Sequence, residues 1–266
     1  MSINLKLRSK ARYGWVRDLP DHRDLSYSVH RLALEAPVSL PPSADLTNTF
    51  PQAYDQGQLG SCTANAIAAA FEFDQIKQGI QQPWTPSRLF IYYNERAIEG
   101  TISSDNGAQI RDGIKVVSTI GVPAETEWSY DPTKFADKPA PDQIWTDAKK
   151  NDATNYFSID NTDINQLKTS LAAGFPWVFG ITVYSSFESQ AVAANGIVPL
   201  PQSSEAVIGG HAIVGVGYDD STGLFKFRNS WGTGWGVNGY GYLPYQYVTN
   251  PKLASDFWTI RSVICS

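Results

Sequence analysis

The sequence predicts an α+β protein of two lobes, a helical lobe first and a strand-rich lobe after it. Helix-patterned, alanine-rich segments fall in the first half, and apolar strands with turn residues between them fall in the second. Pro132, Pro139 and Pro141 mark an irregular link between the two. With 266 residues, 42% of them hydrophobic, the chain can build one large domain or two small lobes. A cleft between lobes is a common place for an active site.

Residues 1–40 read as an extended arm carrying the short apolar group Leu32, Ala33 and Leu34, then Pro37. Tyr13, Trp15, Leu19, Leu25 and Tyr27 make it too apolar for a free tail, so it is expected to pack on the body, with Tyr13 to Tyr27 across or beside the cleft. The body is residues 41–266, with a helical lobe over about 60–140 and a strand-rich lobe over about 150–250. Thr63 to Gln75, following Cys62, is alanine-rich and free of glycine and proline, as a helix requires. Ile67, Ala70, Phe71 and Asp74 mark out its apolar and polar faces.

Thr85-Pro86-Ser87 opens a second helix through Leu89, Phe90, Tyr93 and Ala97. A third spans Gln109 to Ile120, with Ile110, Ile114 and Val117 on one face, Gly121 to end it and Pro123 to forbid its continuation. After the link, Asp163 to Gly174 reads as a helix. Trp177 to Val183, His211 to Tyr218, Leu224 to Arg228 and Gly239 to Leu243 read as strands. Asp219-Asp220-Ser221-Thr222-Gly223 is turn chemistry that makes the strands beside it a hairpin.

A net charge of -5 with no run of basic residues offers no electrostatic track for nucleic acid, and no segment is long and apolar enough to span a bilayer. Two cysteines, Cys62 and Cys265, make no disulfide framework, and the start Met1 to Lys10 has no apolar stretch behind its positive charge. Cytoplasmic residence is the default expectation, with leaderless export left open.

Cys62 lies between the glycine-rich turn Gln56 to Ser61 and the first turn of a helix, where unpaired N–H groups and the helix dipole favour a thiolate. A lone cysteine is more often a small core residue, so its company decides. His211 follows Gly209-Gly210 at the start of a strand, and the other histidines, His22 and His30, sit in the arm. Asn229 stands one hairpin away, directly after the strand Leu224 to Arg228. An asparagine carbonyl can accept the imidazole N–H and hold the ring toward a thiol, and the indole of Trp231 can keep water from that bond.

Gln56 with Gly60-Ser61-Cys62, then Gly210-His211-Ala212, then the run Asn229-Ser230-Trp231-Gly232-Thr233-Gly234-Trp235-Gly236 resemble, in order, the three signature blocks of papain-like cysteine peptidases. The chain also resembles short bacterial members of that family, with their compact arm and Cys-Thr-Ala-Asn sequence. The resemblance covers about residue 41 to the C-terminus and implies a papain-like two-lobe fold with a β-barrel-like second lobe. It implies that Gln56, in preference to Gln58, joins the Cys62 N–H in an oxyanion hole. It also implies that Asn106, Gly107, Ala108, Gly210 and Trp231 line the substrate cleft.

Thr63 stands where papain has tryptophan, and Leu59 where many secreted members have a disulfide-bonded cysteine. The reaction implied is peptide-bond hydrolysis on a peptide or protein substrate, without metal or organic cofactor. The short arm is the available inhibitory segment, in place of a long propeptide. A catalytically silent peptide-binding protein and an acyl transferase or ligase using the same residues are the alternatives. The specificity pocket is expected between Ala108 to Arg111 and Phe179 to Val183.

Overall fold

The computed structural model describes residues 13–28 and 39–266. His30, the Leu32 to Leu34 group and Pro37 lie outside the described residues. In chain order the regular elements are β1 (Trp15–Val16), β2 (Ser43–Asp45), α1 (Cys62–Lys77), α2 (Arg88–Glu99), β3 (Ala108–Gln109), α3 (Ile110–Lys115) and α4 (Gln143–Ala148). There follow β4 (Asp152–Ile159), α5 (Ile164–Ala172), β5 (Trp177–Tyr184), α6 (Gln190–Asn195), β6 (Val207–Asp219), β7 (Leu224–Arg228), β8 (Tyr240–Pro244), α7 (Tyr245–Val248) and β9 (Ala254–Ile264).

The helices form where local chemistry starts and stops them. Ser87 caps α2, its Oγ accepting from Phe90 N at 3.2 Å, and Gly100 ends the helix in the left-handed conformation, φ 72°. The α1 helix has no polar face: Asp74, expected to mark one, is 1% exposed, and only the last two residues of the helix leave the core. Its small Ala64, Ala66, Ala68, Ala69 and Ala70 let α2, α3 and the sheet approach from all sides.

The third predicted helix begins a residue late and changes form. Ala108 and Gln109 are held extended by parallel pairing of β3 with β1, so the helix starts at Ile110, and it widens into a π-helical turn over Val116–Ile120 before Gly121.

The second lobe is an antiparallel sheet in the order β4-β9-β5-β6-β7-β8, with β2 added to β6 beyond the reach of β5. The sheet is open, with β4 and β8 at its ends. Along β6 the residues alternate between two cores. Ala212, Val214 and Val216 face the helices with α1, and Ile213 faces the second core with Trp177, Phe179 and Phe225. The predicted hairpin is present, Asp219 pairing with Leu224 across the turn. Strand β4 was not foreseen: Asp152, Thr154, Asn155 and Ser158 dilute its apolar signal because it is the outermost strand of the sheet, paired along its length to β9 and met on its other side by the arm at Ser158. No described helix is long and apolar enough to cross a membrane.

Candidate active site

Helix α1 and strand β6 meet at Cys62. The thiol is the first residue of the helix, where backbone N–H groups have no intrahelical partner. Its Sγ accepts the Ala212 N–H at 3.3 Å, which sets the sulfur beside the residue that follows His211. The hairpin then delivers Asn229 at the end of β7. Its Oδ1 lies 2.8 Å from His211 Nε2, and both residues are buried. Trp231 stacks on the imidazole, ring centroids 4.9 Å apart at 29°, beside the buried His211–Asn229 bond.

Gln56 sits in the same wall. Its Nε2 donates to Leu59 O at 2.9 Å and its Oε1 accepts from Ser230 Oγ at 2.6 Å. Ser230 therefore ties the Gln56 amide to the loop that carries Asn229, a link the sequence reading missed. No spacing rule connects a serine beside Asn229 with a glutamine 174 residues earlier. Asp105 braces the facing wall: its Oδ1 accepts from Gly60 N at 3.0 Å and from Tyr92 Oη at 2.6 Å, and Tyr92 Oη in turn accepts from Gly107 N at 3.2 Å. The two loops that flank the sulfur are thus held at a fixed separation. Below it, Thr63 donates to Glu95 at 2.9 Å, and burial pushes the Glu95 carboxyl well above the usual carboxylate range.

The space in front of Cys62 is filled by the arm. The Gly14 carbonyl accepts from Ala108 N at 2.8 Å, while the Gly14 N–H points to the Cys62 sulfur. A side chain at Gly14 would run into the Gly60 carbonyl, and one at Gly107, whose φ is 81°, would run into the Gly14 backbone. Tyr13 lies edge-on to His211, centroids 6.0 Å apart, and its hydroxyl donates to Glu188. Trp15 covers Gly180 and Gly210. Farther on, the arm runs beside the sheet, with Ser158 N donating to Leu25 O at 2.8 Å and Tyr27 fully buried.

Tyr13, Trp15 and Tyr27 thus pack on the body as expected. Leu19 and Leu25 do not, being 73% and 54% exposed. Of the expected cleft residues, Gly107, Ala108 and Gly210 touch the arm, Trp231 backs the histidine, and Asn106 is exposed at the rim. Cys62 and His211 are 0% exposed under this cover, and burial pushes the Cys62 thiol up to about 12, against the pull of the N–H groups of Ala212, Gly14 and Thr63. Cys265, half-buried just past β9, lies on another part of the fold.

A profile of the papain family of cysteine proteases matches residues 40–257. The chain is 44% identical, over 94% of its length and 87% of the relative's, to an uncharacterized peptidase C1-like protein of Acanthamoeba polyphaga mimivirus. Among solved structures it is similar to xylellain, a cysteine protease from Xylella fastidiosa, with a TM-score of 0.85 and 44% identity over 95% of this chain and 97% of that one. Procathepsin B S9 from Trypanosoma congolense shares the fold at 16% identity, with a TM-score of 0.73 over 96% of this chain and 87% of that one. With a thiol, an imidazole and an asparagine joined at the meeting of helix and sheet, and with this agreement over nearly the whole chain, the protein belongs to the papain family of cysteine proteases.

Proposed function

We propose that the protein is an endopeptidase acting through a Cys62 thioester, and that residues 13–16 of its own chain hold it latent. The observation that carries this reading is the path of the arm. An extended backbone passes the Cys62 sulfur with chain on both sides of it, Tyr13 toward Trp231 and Trp15–Val16 along β3. A groove that accepts chain on both sides suits cleavage within a polypeptide.

In the released enzyme the Cys62 thiolate attacks the scissile carbonyl carbon, forming an S–C bond. Gln56 and the Cys62 N–H hold the oxyanion. With Nε2 engaged by Asn229, Nδ1 is the His211 nitrogen assigned to proton exchange with the thiol. His211 gives its proton to the leaving amine as the C–N bond breaks. It then takes a proton from water, whose oxygen attacks the thioester carbon and displaces the Cys62 thiolate as the S–C bond breaks.

The arm escapes this chemistry because of what it offers the sulfur. The Gly14 N–H, a donor, faces Cys62, and the Gly14 carbonyl is spent on Ala108. The test uses a peptide blocked at both ends and arm-released protein. Two fragments, one with a new carboxylate, are the expected products. Asn229→Ala should lower kcat about 100-fold with little change in KM, since it removes ring orientation and not substrate contact. An unchanged kcat contradicts the role given to Asn229.

The docked arm should also weaken as pH rises. Asp18, on the arm, faces the Asp256 carboxylate, with Arg111 and the Trp258 indole N–H on its other sides; burial and then Asp256 raise its carboxyl to about 7. In the released arm the same carboxyl returns to about 3.9. The docked state therefore holds a proton that the free arm lacks, and this contribution is full below about 4 and lost as pH rises through 7. The Cys62 thiol, also raised on docking, acts in the same sense at higher pH. The indole N–H resonance of Trp15 should report a falling docked population between about pH 4 and 7, and Asp18→Asn should flatten that dependence. A docked population that rises with pH contradicts it.

A further inference from the structure

The turn from Gln56 to Ser61 carries the donors assigned to the oxyanion at its two ends, the Gln56 amide at one and the Cys62 N–H just past the other. A side chain from a distant loop touches both ends. The half-buried Tyr130 donates from its hydroxyl to Gln56 O at 2.9 Å, and the same oxygen lies 2.5 Å from Ser61 Oγ. Its loop is anchored to the start of α2, where Ser87 Oγ donates to Trp128 O at 2.6 Å.

The proton positions follow from what each group can give. A phenol has one proton, and Tyr130 gives it to Gln56, so Ser61 is the donor between the two hydroxyls. Asn65 Nδ2 in turn donates to Ser61 Oγ at 3.1 Å and to Ser61 O at 2.9 Å, and Arg88 Nη1 donates to Asn65 Oδ1 at 3.0 Å. The bonds run one way, from Arg88 through Asn65, Ser61 and Tyr130 to the Gln56 carbonyl, and each polarises the next.

The series starts on a cation that is itself fixed. Glu125 accepts from Arg88 Nε at 2.8 Å and from Nη2 at 2.6 Å, and the guanidinium lies over the Tyr130 ring, 4.1 Å from its centroid. Arg88, Asn65, Ser61 and Gln56 are all buried. Burial raises the Tyr130 hydroxyl above its usual range, against the pull of Ser61 and Asn65, so it keeps the proton that Gln56 accepts. On the other side, Gln56 N donates to Ser230 O at 2.9 Å and Ser230 Oγ donates to Gln56 Oε1. Ser230 sets Gln56 relative to Asn229, and Tyr130 sets it relative to Ser61 and so to the Cys62 N–H.

Building on the peptidase reading above, we infer that Tyr130 is a positioning residue for hydrolysis: its hydroxyl fixes the spacing of the two oxyanion donors, Gln56 Nε2 and the Cys62 N–H, and acts through them. A tetrahedral oxyanion takes both donors at once. A turn free to spread therefore weakens the transition state more than the bound substrate.

The test is Tyr130→Phe in the full chain carrying Gly14→Leu, which lifts the arm. Phenylalanine keeps a ring under Arg88 and removes the hydroxyl alone. On a blocked peptide kcat should fall about tenfold with KM little changed, less than the roughly 10²–10³-fold loss expected when an oxyanion donor is removed outright. Alkylation of Cys62 by iodoacetamide, in which the sulfur displaces iodide from a saturated carbon and no oxyanion forms, should keep its rate. In a Gln56→Ala background the same Tyr130→Phe change should lower kcat by about twofold or less, because the group it positions is gone. A kcat that Tyr130→Phe leaves unchanged, an alkylation rate that falls in step with kcat, or an equal loss in the Gln56→Ala background overturns the assignment while leaving the peptidase standing. A Gly14→Leu parent that cuts no peptide overturns both.

Discussion

Cys62→Ala should abolish peptide hydrolysis, lowering kcat by roughly 10⁵-fold or more, because without the sulfur there is no thioester to form and the remaining groups supply only binding and oxyanion stabilisation. The fold should survive. Cys62 is buried among alanines at the start of α1, and removing one sulfur costs about 1 kcal/mol of packing. The substitution also strips an acceptor from the Ala212 and Gly14 N–H groups, so Cys62→Ser, which keeps an acceptor there, separates loss of chemistry from loosening of the arm. Steady-state hydrolysis and thermal unfolding of both variants check this. A Cys62→Ala protein that still cuts at the original rate removes the nucleophile from the account.

Gly14→Leu should act in the opposite direction, raising the initial hydrolysis rate of the full chain on the order of 10²-fold. The Cβ of any residue at position 14 is fixed by the backbone and would strike the Gly60 carbonyl, itself backbone, so no rotamer relieves the clash. Residues 13–16 must then leave the groove. What holds them there is the Gly14–Ala108 hydrogen bond with the burial of the Tyr13 and Trp15 rings, about 1.5–3 kcal/mol for each ring, less the entropy of ordering the segment. A net few kcal/mol corresponds to the expected 10²-fold change in the open population. Lifting the arm also lets water reach Cys62, which removes the burial that keeps the thiol protonated. The rate of hydrolysis in fresh full-length protein, wild type against Gly14→Leu, measures the effect, and equal rates contradict it.

Much of the site was legible because its residue types carry their own constraints. A helix-start cysteine, a histidine on a strand and an asparagine one hairpin on can be read from the order of turns and strands, and the structure joins His211 to Asn229, although β6 begins at Val207 and so places His211 inside the strand and not at its start. Tyr13 and Trp15 announced a docked arm by being too apolar for solvent. Their seats were not legible, since the fit depends on glycines at 60, 107, 180 and 210 that come together from four separate segments. The carboxylate at Asp256 was hidden for a related reason: a bulge in β9 aims it, and bulges leave no periodic trace. Asp74 misled in the other direction, as a charged residue that packing buries all the same.

The central claim is that Cys62 is a nucleophile whose access and ionisation the arm controls. The most direct measurement is the rate at which an epoxide warhead alkylates each cysteine, followed by peptide mass analysis in wild type and Gly14→Leu. The account predicts slow modification of Cys62 in fresh wild type, a rise on the order of 10²-fold in the variant, and Cys265 slow and unchanged in both. Equal rates at Cys62 in the two proteins, or no faster reaction at Cys62 than at Cys265 once the arm is lifted, would contradict it.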